Sequence, residues 1–140
     1  MNFKFDGILL HSNSNSWVVE NMQILSNGRR GINAEFSVYS RYLYNSILVN
    51  GDDGIACGEY CHVEGSNVSD NGSMGIRIRS GTVLGNTISS NRFQGIYDNF
   101  GIADTGFGNN TLISNSTTEG GDQVIDGLAL HPNVCMPTPC

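Results

Sequence analysis

One phrase recurs four times in this chain and narrows the folds open to it more than any other feature. Asn-x-x-x-Gly-Ile reads NGRRGI at 27–32, NGDDGI at 50–55, NGSMGI at 71–76 and NRFQGI at 91–96. Glycines 7, 31, 54, 75, 95 and 120 follow one another at 24, 23, 21, 20 and 25 residues. A repeat of that length with its own turn signal is the mark of a solenoid, in which each unit buries its apolar face only against its neighbours.

Aligned on Gly-Ile, the repeats show three apolar columns. The first is Ile8, Ile32, Ile55, Ile76 and Ile96; the second is Ile24, Ile47, Val68, Ile88 and Leu112. The third is Val19, Tyr42, Val63, Val83 and Phe107. Most of these residues are β-branched or aromatic, and Gly and Asn interrupt the chain too often for an amphipathic helix. The pattern predicts an all-β chain of about six short coils, each strand pairing with its equivalent one coil later to make three parallel sheets. The asparagines before each glycine are expected at tight bends, as left-handed residues whose amides stack into a ladder, with the glycines supplying positive φ or close approach. Residues 1–140 read as one domain, with 1–119 as repeating coils and 120–140 as a degenerate last coil and cap.

The net charge of −6, with no cluster of Lys and Arg, argues against nucleic acid and anionic membrane as partners. The first residues lack the apolar core and cleavage site of a secretory signal. Cys57, Cys61, Cys135 and Cys140 form two close pairs compatible with disulfides, buried free thiols or a metal site; no His stands beside either pair at zinc-ligand spacing. No cofactor is expected; calcium is an open alternative at aspartates 6, 52, 53, 104, 122 and 126, which form no Asp-rich nonapeptide repeat to support it. Coil length varies ahead of the second column, which predicts outward loops near residues 11–17, 35–41 and 98–106. Insertions on one side of a solenoid commonly form its binding side. The first coil has little cover at its open end, a candidate edge for homo-oligomers.

Over roughly residues 7–115 these coils resemble the right-handed parallel β-helix repeat family, the pectin-lyase-like superfamily. The resemblance implies a right-handed coil, a bias toward poly- or oligosaccharide partners, and a secreted or cell-surface setting. Asp52-Asp53-Gly54-Ile55-Ala56 looks like the second catalytic segment of polygalacturonases, and Gly75-Ile76-Arg77-Ile78-Arg79 resembles their late substrate-binding segment. Where that family needs Asn-Thr-Asp, this chain has Gly28-Arg29-Arg30-Gly31-Ile32. Where it needs Gly-His-Gly, Asn71-Gly72-Ser73-Met74-Gly75 stands.

Asp52 and Asp53 are therefore the catalytic candidates, because paired carboxylates serve as acid and base in glycoside hydrolysis. Their stacking on Arg29-Arg30 offers the plainer role of a neutralised surface cluster. Arg77, Arg79, Tyr97 and Glu35 are the substrate-binding candidates, able to hold an acidic sugar by charge and stacking. Taken together, these residues favour a non-catalytic, carbohydrate-associated or structural module. The alternatives are a hydrolase, lyase or epimerase acting on uronate polysaccharide, and an assembly protein joined through its open coil end.

Overall fold

The computed structural model describes residues 3–99, 104–115 and 122–140. Among the described residues, eighteen short strands follow in six coils. Coil one holds β1 (Ile8–Leu9), β2 (Val18–Glu20) and β3 (Gln23–Leu25); coil two holds β4 (Ile32–Ala34), β5 (Arg41–Leu43) and β6 (Ser46–Leu48). Coil three has β7 (Ile55–Cys57), β8 (Cys61–Glu64) and β9 (Asn67–Ser69); coil four has β10 (Ile76–Ile78), β11 (Gly81–Leu84) and β12 (Thr87–Ser89). Coil five supplies β13 (Ile96–Asp98), β14 (Thr105–Gly108) and β15 (Thr111–Ile113), and coil six β16 (Val124–Ile125), β17 (Leu128–Ala129) and β18 (Val134–Met136). Every third strand joins one sheet. Sheet A runs β1-β4-β7-β10-β13-β16, sheet B is built from β2 to β17, and sheet C from β3 to β18. All strand pairs are parallel and in the register the apolar columns predict, as in Ile32↔Ile55, Tyr42↔Val63 and Ile47↔Val68.

Parallel sheets need cover. Here each inner face is covered by the other two sheets, so the middle isoleucines and valines lie fully buried. Tyr42 is the fully buried aromatic of the third column. Burial pushes its hydroxyl up to about 12, opposed by the neighbouring Ser40 and Ser37 hydroxyls.

The corner from sheet C to sheet A carries the Asn-x-x-x-Gly-Ile phrase. Asn27, Asn50, Asn71, Asn91 and Asn115 are all buried there. Each Asn donates from its side-chain amide to the carbonyl oxygen of the next Asn, at 2.8–2.9 Å. That same oxygen also accepts the backbone N–H of the earlier Asn, at 3.0–3.1 Å. Gln123 ends the file by accepting both donors of Asn115. A second file runs through Asn45, Ser66, Asn86, Asn110 and Asn133 at the corner from sheet B to sheet C.

One expectation is corrected. The left-handed residue at these corners is the one before each Asn, namely Ser26, Val49, Asp70, Ser90 and Ser114 at φ 53–57°. An Asn side chain aimed along the ladder needs an ordinary backbone, so the strain passes to its predecessor. The phrase's glycines likewise serve close approach rather than positive φ. A Cβ on Gly31 would lie 2.5 Å from Ile47 Cγ2 and 2.7 Å from the Gly54 carbonyl oxygen.

The other corners differ in length. From sheet B to sheet C the chain uses two residues each time in coils one to five, beginning at residues 21, 44, 65, 85 and 109. From sheet A to sheet B it uses residues 10–17, 35–40, 58–60 and 79–80, so the length variation sits at one corner, as expected. Residues 100–103 of the third expected loop and the 119/120 boundary lie outside the described residues. Two disulfides join Cys57 to Cys61, across this variable corner, and Cys135 to Cys140 in the tail. Cys57 is also a buried core residue, in register with Ala34 and Ile78. At the first coil, Phe3, Phe5, Leu9, Trp17, Val18 and Met22 are exposed beside the edge strands β1, β2 and β3.

Two stability predictions follow from the corners. Val49 is a β-branched, exposed residue at φ 57°, a conformation that costs an L-residue roughly 1–2 kcal/mol. Val49→Asn should raise stability by about 1 kcal/mol in urea denaturation. Asn71→Ala strands the buried donors of Asn50 and takes away one of the two donors to Asn91 Oδ1, and should cost about 3 kcal/mol or more in the same measurement.

Candidate functional site

Outward positions on sheet A carry a column of Leu9, Asn33, Ala56, Arg77 and Tyr97 in register. Ala56 contributes only a methyl group. The Arg77 side chain of coil four therefore crosses coil three and reaches Glu35 of coil two, at 3.4 Å between Nη2 and Oε2. Its Nε lies 2.9 Å from Asp53 Oδ2. Arg30 enters from the corner below and closes the cluster, with Nη1 at 3.0 Å from Glu35 Oε2 and Nε at 3.3 Å from Asp53 Oδ2 and 3.6 Å from Asp52 Oδ2. Two guanidinium groups thus bridge Glu35 and Asp53. Arg30 also donates to Asn33 Oδ1, and Asn33 donates to Asp6 Oδ2, both at 3.0 Å.

The Asp53 side chain is only 3% exposed. Burial lifts its carboxyl above the ordinary value of 3.8. Arg77, the Ser73 hydroxyl and Arg30 oppose that lift, and the like charge of Asp52 adds to it. Its other oxygen accepts the Met74 N–H at 3.3 Å. Asp52 is more open, with its side chain 41% exposed.

Of the residues expected at a site, the structure brings Asp52, Asp53, Glu35 and Arg77 into one ion-pair cluster. Arg79 stands apart, its guanidinium carbon 5.9 Å from the Phe36 ring centroid. Tyr97 is the in-register neighbour of Arg77 on β13. Arg30 takes the neutralising role that stacking NGRRGI on NGDDGI implies. Asp6, His11, Ser12, Asn33 and Phe36 line a groove of about 420 Å³ beside this cluster, together with Arg29 and two leucines.

The variable corner adds aromatics that belong to none of the apolar columns. Tyr39 and Tyr60 stack nearly parallel, with centroids 4.9 Å apart and planes at 9°. Both are left-handed corner residues, at φ 57° and 54°. With Phe36, they are about 60% exposed. A signal for the pair was present: two tyrosines 21 residues apart, one coil period, each just ahead of a third-column strand. Both tyrosines lie outside the three apolar columns that carry the repeat. Among the described residues, no group of three or more His, Cys, Asp and Glu is placed to hold a metal ion.

Three parallel sheets wound in register, with amide ladders inside two corners, define a parallel β-solenoid with an outward-facing charged and aromatic strip. The chain belongs to the right-handed β-helix family, whose model for the right-handed β-helix region matches residues 2–118. Searches of curated proteins and of solved structures found no significant match.

The raised Asp53 value has a direct consequence for stability. A carboxyl that holds its proton more tightly when folded contributes stability that is complete below pH 3.8 and is lost as pH rises through the folded value. The stability of the wild type relative to Asp53→Asn should therefore fall as pH climbs from 3.8 through that range. Urea titrations at closely spaced pH values check this, and a wild-type advantage that grows with pH would contradict it.

Proposed function

We propose that this chain is a non-catalytic carbohydrate-binding β-helix module that takes an oligo- or polysaccharide along the corner between sheets A and B. The observation that carries the reading is the exposed aromatic set at that one corner, Tyr39 stacked on Tyr60 with Phe36 beside Arg79. Exposed ring faces and edges flanked by amides and charges suit the apolar C–H faces and hydroxyls of sugars. The adjoining groove offers Asn33, His11 and the half-exposed Arg29 as polar partners, the last able to meet a uronate carboxylate.

The carboxylate geometry favours binding over hydrolysis. A catalytic acid must reach the glycosidic oxygen. Asp53 lies beneath two arginines and is tied through both oxygens, so presenting it would break the cluster. Arg77 is similarly occupied by Asp53 and Glu35, which makes it a scaffold for the surface more than a sugar contact.

Calorimetry against a panel of neutral and uronate oligosaccharides tests the reading, alongside a reducing-end assay on the matching polymers. The expected result is saturable binding without chain cleavage, with affinity lowered roughly tenfold, about 1.4 kcal/mol, in Tyr60→Ala and in Phe36→Ala. Binding unchanged in a Tyr39→Ala, Tyr60→Ala double variant would sink it, as would release of new reducing ends.

A further inference from the structure

The outer face of sheet B holds a hydroxyl, an imidazole and a carboxylate in contact, on the strands that follow the corner discussed above. His62 on β8 stands in register with Thr82 on β11, and Glu64 lies two residues along β8 on the same face. His62 Nδ1 is 2.5 Å from Thr82 Oγ1, and Nε2 is 2.9 Å from Glu64 Oε2. An ionised carboxylate can only accept, so Nε2 carries its hydrogen toward Glu64. In the neutral ring the lone pair then lies on Nδ1, and the Thr82 hydroxyl is the donor to it. A hydroxyl held against an imidazole whose far side is oriented by a carboxylate is the arrangement of an activated oxygen nucleophile.

Two further features bear on what could react. His62 and Glu64 are partly open to solvent, with side chains 28% and 44% exposed. Beyond Thr82 in register comes Gly106, which brings no side chain of its own; Leu130 fills that space, and a Cβ on Gly106 would lie 2.5 Å from Leu130 Cδ1. Thr82 thus has a base on one flank and, one coil on, the isobutyl group of Leu130 packed over Gly106 on the other.

We propose that Thr82 is an acyl acceptor, taking the acyl group of an activated ester or thioester. Thr82 Oγ1 attacks the acyl carbon, forming the Oγ1–C bond, while its proton moves to His62 Nδ1 and Glu64 stabilises the imidazolium. Collapse of the adduct breaks the C–O or C–S bond, whose electron pair leaves with the aryloxide or thiolate. The proton then passes from Nδ1 to that leaving group. The products are acyl-Thr82 and a phenol or thiol, and nothing is oxidised or reduced. Thr82 lies mid-strand with its backbone in the parallel ladder, so its own amide does not turn toward the oxyanion. The reaction therefore needs a good leaving group and stops at one acyl group per chain.

The test incubates the whole chain with p-nitrophenyl acetate and, separately, with an acetyl thioester, and locates the acetyl group by peptide mass spectrometry. The proposal expects a burst of about one equivalent of nitrophenolate, with the acetyl group on Thr82. The burst should vanish in Thr82→Val, fall at least tenfold in His62→Gln and in Glu64→Gln, and survive in Thr82→Ser, which shares the fold and the hydroxyl. An unacetylated Thr82, or acetylation at an unchanged rate in His62→Gln, overturns it. So does continuous turnover without a burst.

Discussion

Everything in this molecule depends on keeping successive coils in register, and the buried amide ladder at the corner from sheet C to sheet A enforces it. The ladder oxygens of Asn50, Asn71, Asn91 and Asn115 each accept two donors from the coil before, while each ladder NH2 donates to the next side chain and, in those same four residues, to a backbone carbonyl one coil back. Polar groups this deeply buried are tolerable only when all are paired. A coil shifted by one residue would unpair them and turn the apolar columns outward. The ladder therefore acts less as a source of net stability than as a penalty on every other register.

That constraint also explains where chemistry can reside. The corner from sheet C to sheet A is filled by amides and close glycines, and the corner from sheet B to sheet C is held to two residues in coils one to five. Within coils one to four, the turn from sheet A to sheet B is the corner that changes length, shortening from residues 10–17 to 79–80. Its loops bring Phe36, Tyr39 and Tyr60 to the surface, and the disulfide between Cys57 and Cys61 ties the corner at coil three. Rigid coils on either side hold these loops, as suits a surface that binds an extended ligand.

The charged cluster is a different device. Arg30 and Arg77 each bridge the same two carboxylates across three coils, with Ala56 leaving room for the longer reach. Stacked strands put side chains from adjacent coils about 4.8 Å apart, so unlike charges in equivalent positions pair almost by default. At Asp53 burial is the larger effect and leaves the carboxyl above its ordinary value in spite of both arginines. The pairing of Thr82 with His62 on sheet B arises from the same spacing, with chemistry in place of charge.

Much of this could be read from the chain alone, because a solenoid is built from local, repeated rules. Three columns of β-branched residues at a period of 20–25 determined the strands, their parallel pairing and their register. The pairing of NGRRGI against NGDDGI followed from the same alignment. Other features were decided only in three dimensions. Which corner residue turns left-handed depends on where the Asn side chain must point, and this moved the strain onto Val49 and its equivalents. Glu35 meets Arg77 because a single intervening coil presents only the small Ala56, a contact 42 residues long in sequence. The stacked tyrosines and the hydroxyl–imidazole–carboxylate line likewise lie on faces that carry no apolar period. Burial writes a pattern into sequence because every coil must repeat it. Surface contacts between coils need occur only once, so tertiary structure alone reveals them.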